Sequence, residues 1–203
     1  MLDLCAGGGG KTLALAAAMG SSGQIYAYDT DSKRLSEVVT RGQRAGVRNL
    51  QTRSPRKPGS LDDLAGRIDL VFVDAPCTGS GVWRRHPDAK WRLTPTQLER
   101  RIAEQKEVLA QARWMAKPGG RIVYVTCSLL AEENEDQVAA FLAEAPEFQA
   151  LSALSAIEAS GLATPEGLRG LQDRLTPEGF LRLSPRSGDT DGFFIAVLAR
   201  DHA

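Results

Sequence analysis

The sequence predicts a doubly wound, mostly parallel α/β sheet, and three observations carry that prediction. Short apolar runs alternate with helical segments from one end of the chain to the other. The first run leads straight into a glycine loop, Ala6-Gly7-Gly8-Gly9-Gly10-Lys11-Thr12, and then into a helix. Acids and cysteines recur just after the apolar runs, at the edge where open α/β sheets bind ligands.

The elements follow in order. Met1 to Cys5 is a short apolar strand, and the Leu- and Ala-rich stretch from Thr12 to Met19 is the helix after the loop. The glycines let the backbone approach a ligand and leave amides available at the helix start. Gln24-Ile-Tyr-Ala-Tyr28 alternates as a second strand and ends at Asp29. An acid about twenty residues past such a loop is placed to meet a ribose hydroxyl. Asp31 and Ser32 cap a polar helix that runs to Ala45 and is closed by Gly46. Arg48 to Arg53 reads as a third strand and Ser54 to Ser60 as a loop. Ile68 to Asp74 is a buried fourth strand that Pro76 terminates. Thr94-Pro95 opens a long helix with Leu98, Ile102, Leu109, Ala112 and Met115 on one face, ending before Pro118-Gly119-Gly120. Arg121 to Val125 is a fifth strand, running into Thr126-Cys127-Ser128 and a helix from Glu132 to Ala143. Phe148 to Leu151 reads as a sixth strand and Phe193 to Leu198 as the last. Residues 152–180 carry no readable period.

A chain of 203 residues suits one domain with a real core. Lys plus Arg and Asp plus Glu both number 25, so net charge says nothing about partners. Distribution says more: Lys33 to Lys57 holds eight basic residues against Glu37 alone, and Arg84, Arg85, Lys90 and Arg92 are interleaved with Trp83 and Trp91. Each patch alone is compatible with an ordinary solvated face, but aromatics among the second favour nucleic acid. Three cysteines without a CxxC pair argue against a disulfide framework or a zinc site and for a reducing compartment, the cytoplasm. The sequence has no apolar run near the length of a membrane span.

All three cysteines fall at strand ends: Cys5 beside the glycine loop, Cys77 after Asp74-Ala-Pro, and Cys127 within Thr-Cys-Ser. A lone free cysteine is commonly a small core residue, but a shared edge points to a site. A reactive thiol needs local positive charge or a proton acceptor. Lys11 and the basic run from Arg84 can supply charge, whereas His86 and His202 are not placed as bases. The residues alone leave Cys77 and Cys127 both open as nucleophile. The loop also approaches the phosphate-binding pattern G-x-x-x-x-G-K-[ST]: Gly10-Lys11-Thr12 supplies its end, but the first required glycine falls on Cys5. A P-loop-like NTPase with Asp74 on magnesium is therefore the runner-up, and a non-catalytic RNA-binding module the third reading.

Three motifs then agree. Asp3-Leu-Cys-Ala-Gly-Gly-Gly-Gly-Lys-Thr12 is followed by Asp74-Ala-Pro-Cys-Thr-Gly-Ser-Gly81 with Arg84-Arg85 and Pro87-Asp88. Thr126-Cys-Ser128 with Glu133-Asn134-Glu135 completes the set, and the tail adds Leu183-Ser-Pro185 and Asp191-Gly-Phe-Phe194. Together they resemble the RsmB/Sun (NSUN-type) family of S-adenosylmethionine-dependent RNA cytosine-5 methyltransferases. The resemblance implies a Rossmann-like methyltransferase sheet with an antiparallel last strand. It implies that residues 1–203 are a catalytic domain, read as a fragment lacking an N-terminal RNA-binding region. It implies S-adenosylmethionine as cofactor, held by Cys5, Ala6, Gly7, Gly8, Gly9, Gly10, Lys11 and Asp29, with Asp74 neighbouring it.

Among catalytic residues the resemblance implies Cys127 as the thiolate that adds to carbon-6 of cytosine, Cys77 as the residue that assists release, and Asp74 as a contact to the base. The partner implied is ribosomal RNA presenting a single-stranded or flipped cytosine, with Trp83, Trp91, Arg84 and Arg85 available to hold it. Two positions depart from the family pattern. The loop usually reads A-P-G-G-K, whereas here Ala6 precedes four glycines. An acid after the third strand is replaced by Thr52-Arg-Ser-Pro-Arg56.

Overall fold

The computed structural model describes residues 1–203 except Ser21, Leu162 and Ala203. The elements are β1 (Leu2–Asp3), α1 (Gly10–Ala18), β2 (Ile25–Tyr28), α2 (Ser32–Arg44), β3 (Leu50–Arg53), β4 (Ile68–Asp74), α3 (Pro87–Arg92) and α4 (Pro95–Met115). β5 (Ala116–Thr126), α5 (Glu135–Glu144), β6 (Phe148–Leu151), α6 (Ala153–Ala159), α7 (Pro165–Gln172), β7 (Leu181–Leu183), α8 (Pro185–Gly188) and β8 (Phe193–Arg200) complete the chain. The eight strands form one sheet in the order β3-β2-β1-β4-β5-β8-β6, with β7 also on β8. β1 to β5 pair in parallel and β8 runs antiparallel between β5 and β6. The expected fold class and its antiparallel last strand are what the chain adopts. Strand order reverses between β1 and β4, so the crevice beyond their carboxyl ends is the place for a ligand.

Local chemistry explains most boundaries. Asp31 accepts the amides of Lys33 and Arg34 at the start of α2. Thr94 and Gln97 close a reciprocal capping box at α4, with Pro95 in the first turn. The face read on α4 is buried only in its second half, at Leu109, Ala112 and Met115, whereas Leu98 and Ile102 are half-buried. One side of α4, from Arg100 to Gln111, walls a cleft and presents Arg100, Arg101 and Glu104 to it. Gln105, polar and fully buried, is the member of that helix the periodicity did not find.

Three expectations were displaced. Pro118-Gly119-Gly120 does not separate the long helix from a fifth strand starting at Arg121, because β5 already begins at Ala116. Pairing jumps from Ile68↔Ala116 to Leu70↔Arg121, so these residues bulge within β5. Gly120 permits this, since a Cβ there would meet the Lys117 and Ile68 carbonyl oxygens at 2.8 and 2.9 Å. The helix expected from Glu132 is a 3-10 turn, Ala131–Glu133, then α5. Asn134 divides them, because its side chain is drawn inward instead of capping the helix. Residues 152–180 hold α6 and α7, capped by Ser152 and Thr164, signals that were present without an apolar period to support them. Leu162, in that connection, lies outside the described residues.

The main core runs under β1, β4, β5 and β8 and includes Leu2, Val71, Ile122, Tyr124 and Phe194. Phe194 sits edge-on to Tyr124 (6.4 Å) and Phe180 (5.5 Å) between ring centroids. Replacing Phe194 by Ala removes the shared ring of both pairs, and large core truncations of this kind cost about 3–5 kcal/mol. A drop of that size in denaturant midpoint stability is expected, and a loss well under 1 kcal/mol would contradict the packing described.

Candidate functional site

The carboxyl ends of β1, β4 and β5 bring the three cysteines to one edge. Cys5 follows β1, Cys77 lies three residues past β4, and Cys127 directly follows β5. Cys5, Asp29, Asp74, Cys77 and Cys127 all line one cleft of about 860 Å³, within the range of small-ligand sites. The opposite wall is α4, through Arg100, Arg101 and Glu104, which the sequence reading did not anticipate. Ala6, Gly7, Gly8, Gly9, Gly10 and Lys11 are not among the lining residues, though Lys11 pairs with Asp74 at the cleft.

The glycine loop is tied to its neighbours. The Gly7 amide donates to Asp29 Oδ2 (2.7 Å), and Asp29 Oδ1 accepts the Asp31 amide (2.8 Å). Arg41 Nη1 donates to the Gly8 carbonyl (2.6 Å). Gly7 and Gly9 are left-handed (φ 53° and 85°), and a Cβ on Gly7 would run into the Arg34 guanidinium. The basic tract of 33–57 is therefore partly structural: Arg34 and Arg41 brace this loop, and Arg53 forms a two-pronged pair with Asp63 (3.0 and 2.8 Å). The Ser54 hydroxyl, near where the resemblance implies an acid, accepts the Arg56 amide (3.3 Å), and its carbonyl accepts the Lys57 amide (3.2 Å). Thr12, which a P-loop needs as a magnesium ligand, is fully buried and donates to Asp3 (2.6 Å).

Cys77 Sγ and Cys127 Sγ lie 3.3 Å apart, within S–H···S contact. Burial and the Glu133 carboxylate both disfavour a thiolate on Cys77, while at Cys127 the Asp74 carboxylate opposes a thiolate and Lys11 partly offsets it. We therefore assign Cys77 as donor. Its hydrogen bond holds the Cys127 thiol below its ordinary value, against desolvation and the Asp74 charge. The same bond, with burial, pushes Cys77 up.

Both sulfurs are fixed by buried polar groups. The fully buried Glu133 accepts the Thr78 amide (2.8 Å) and hydroxyl (2.5 Å), and Gln105 Nε2 donates to Glu133 (3.1 Å) and to the Pro76 carbonyl (2.8 Å). That clamps the Cys77 turn to α4 and to the segment after β5. Asn134 accepts from the Thr126 hydroxyl (2.5 Å) and donates to the Ser128 carbonyl (3.0 Å), holding both neighbours of Cys127. The Gly81 amide donates to the Cys127 carbonyl (2.9 Å), and the Gly192 amide to the Gly81 carbonyl (2.8 Å). Asp191 takes Arg84 (3.3 Å) and Arg85 (2.8 Å), so these arginines, expected to hold a base, are already paired. Trp83 is half-buried, with Lys90 Nζ 5.9 Å from its ring, while Trp91 is 83% exposed.

No helix among the described residues is long and apolar enough to cross a membrane. A profile of the family described as "16S rRNA methyltransferase RsmB/F" matches residues 1–199. The chain is 35% identical over 203 residues to "Ribosomal RNA small subunit methyltransferase B" of Klebsiella pneumoniae, covering 98% of this chain and 42% of that protein. It is 33% identical over 202 residues to "Probable ribosomal RNA small subunit methyltransferase B" of Synechocystis sp., covering 98% and 43%. The chain thus spans about two fifths of the length of these curated relatives. Among solved structures, "NSun6 from Pyrococcus horikoshii with SFG" superposes with TM-score 0.77 at 27% identity, covering 100% of this chain and 48% of that one.

Two outcomes follow from this geometry. A Cβ on Gly81 would meet Gly192 Cα at 2.7 Å and the Cys127 carbonyl at 2.8 Å, backbone that cannot yield cheaply. Gly81→Ala is expected to cost about 1–3 kcal/mol in chemical denaturation, and an unchanged midpoint would contradict the close approach. Asp3, buried beneath the loop with Oδ1 unpartnered, is raised from 3.8 to about 6, chiefly by burial. A raised acid stabilises the fold below its unfolded value and loses that contribution as pH rises through its folded value. Asp3→Asn should therefore gain on the wild type between pH 4 and pH 7, by on the order of 3 kcal/mol. Melting temperatures of both proteins across that range test it, and a pH-independent difference would refute it.

Proposed function

The chain belongs to the RsmB/F family of 16S rRNA methyltransferases; on that premise we propose that it methylates carbon-5 of a cytosine in ribosomal RNA through a covalent bond to Cys127. The observation that carries this reading is the pair of sulfurs 3.3 Å apart on one wall of a ligand-sized cleft. Residues 1–203 act as one catalytic domain, and the reducing cytoplasm suits a mechanism that needs both thiols free.

The groups present suit S-adenosylmethionine. Asp29 ends the second strand at the cleft, as a ribose-binding acid should, and its carboxylate is oriented by two backbone amides. Gly7 and Gly9 take left-handed backbone conformations (φ 53° and 85°) that favour glycine, so the loop carries no side chains at these turns. Cys5 and Asp29 would contact the cofactor directly, with Ala6 to Lys11 shaping the turn behind them and Asp74 beside Lys11. When bound, the cofactor supplies a methyl group on a sulfonium.

The chain's own residues do the rest. Carbon-5 of cytosine is a poor nucleophile until a thiolate adds at carbon-6. Cys127 is suited to that addition because the hydrogen bond from the Cys77 thiol stabilises its anion against burial and the Asp74 charge. Asp74, held by Lys11 and lining the same cleft as Cys127, is the group that contacts the base. After methyl transfer water takes the carbon-5 proton, the carbon-5–carbon-6 double bond re-forms and the Cys127 thiolate is expelled, and the Cys77 thiol 3.3 Å away assists that release by its hydrogen bond to the departing sulfur. A base can be reached in this way only outside a helical stack.

Incubating the Cys77→Ala protein with unmodified ribosomal RNA and S-adenosylmethionine should accumulate a covalent protein–RNA species on denaturing gels. Cys127→Ala should give none and lose turnover by at least two to three orders of magnitude, the scale of a removed nucleophile. Full turnover by Cys127→Ala would overturn the assignment.

A further inference from the structure

A second groove opens beside the first. It has a volume of about 390 Å³ and is lined by Cys77 and Thr78 at one end and by Arg92, Leu93, Arg100 and Arg101 along α3 and α4. Cys77, Arg100 and Arg101 line both clefts, so the two meet at the sulfur pair. No acid lines this groove, while three guanidiniums do.

Those guanidiniums are only partly neutralised. Arg100 and Arg101 share a single carboxylate, Glu104 (2.7 and 2.5 Å), which leaves one positive charge over. Arg92 pairs with Asp88 (2.7 Å), but both are largely exposed, at 72% and 65%, and such a pair is worth little and exchanges readily. Lys90 adds a cation over the Trp91 ring (5.4 Å), and Trp91 is 83% exposed, the largest exposure among the exposed large apolar side chains. α3 buries no residue at all. An exposed indole among partly neutralised cations, on the short helix that borders the groove though not among its lining residues, has no role in holding the fold.

We propose that this groove is the path of the RNA strand next to the target nucleotide: Arg92, Arg100 and Arg101 hold its phosphates and Trp91 stacks on a neighbouring base. This rests on the RNA reading given above. The chemistry recognised is a single-stranded polyanion with stackable bases, which a groove of guanidiniums with one free aromatic face fits. The groove meets the cofactor cleft at Cys77, so a strand lying in it can deliver one nucleotide to the sulfur pair while S-adenosylmethionine enters from the Asp29 side. The contact is electrostatic and carries no base code, so it positions the strand without choosing the sequence.

The test is fluorescence anisotropy of a labelled single-stranded ribosomal RNA oligonucleotide on the intact chain, repeated from low to moderate salt. Arg92→Ala and Arg101→Ala should each weaken binding about 3- to 10-fold and lower the slope of log K against log salt by about 0.7, one phosphate contact each. Trp91→Ala should weaken binding by a similar factor with the salt slope unchanged. Arg169→Ala, on the remote α7, should match the wild type. If the wild type binds RNA and the groove variants keep its affinity and slope, the groove assignment is overturned while the RNA reading stands. If the wild type binds no RNA at any salt, the RNA reading itself is overturned, and the groove with it.

Discussion

Glu133 is fully buried, and its carboxylate accepts the Thr78 amide, the Thr78 hydroxyl and the Gln105 amide. Placing a carboxylate there is costly unless its acceptors are filled, and here three donors from two separate segments fill them. The consequence is geometric. Thr78 follows Cys77, Gln105 also holds the Pro76 carbonyl, and the Glu133 carbonyl itself accepts the Tyr124 hydroxyl (2.7 Å) from β5. One side chain thus binds the turn after β4 to α4 and to the end of β5. The two sulfurs come within 3.3 Å because both of their segments hang from it.

The remaining motif residues extend that scaffold outward. Asn134 gives up its capping role at α5 to hold Thr126 and Ser128, and so the backbone on both sides of Cys127. Ser80 and Ser128 share a hydrogen bond (3.0 Å), and Ser80 accepts the Leu129 amide (2.8 Å). Gly81 and Gly192 approach so closely that neither can carry a side chain, which lets Asp191 reach Arg84 and Arg85. Residues that the family pattern marks near the cysteines therefore act mostly by positioning, which leaves the proposed chemistry to the two thiols and one carboxylate.

Much of this was legible in the sequence. β4, at Ile68–Asp74, and β6, at Phe148–Leu151, have the expected bounds, because an apolar run bounded by a breaker leaves little choice. The edge placement of Cys5, Cys77, Cys127, Asp29 and Asp74 followed from strand order alone. What was not legible depends on tertiary partners. Gln105 reads as an ordinary polar helix residue and Glu133 is marked only as part of the family pattern, and nothing local says that they face inward. Arg84 and Arg85 read as free cations, and only the fold brings Asp191 to them from 106 and 107 positions away. The bulge at Lys117–Gly120 looked like a strand boundary, since Pro and Gly punctuate turns and bulges alike.

The central claim is that this scaffold holds Cys127 as the more acidic thiol of a hydrogen-bonded pair. It is tested most directly by the pH dependence of Cys127 alkylation, followed by peptide mass spectrometry in the wild type, Glu133→Gln and Cys77→Ala. The wild-type midpoint should fall below the ordinary thiol value of about 8.5 and rise in both variants, since one loosens the Cys77 turn and the other removes its donor. Equal midpoints in all three proteins would contradict the account.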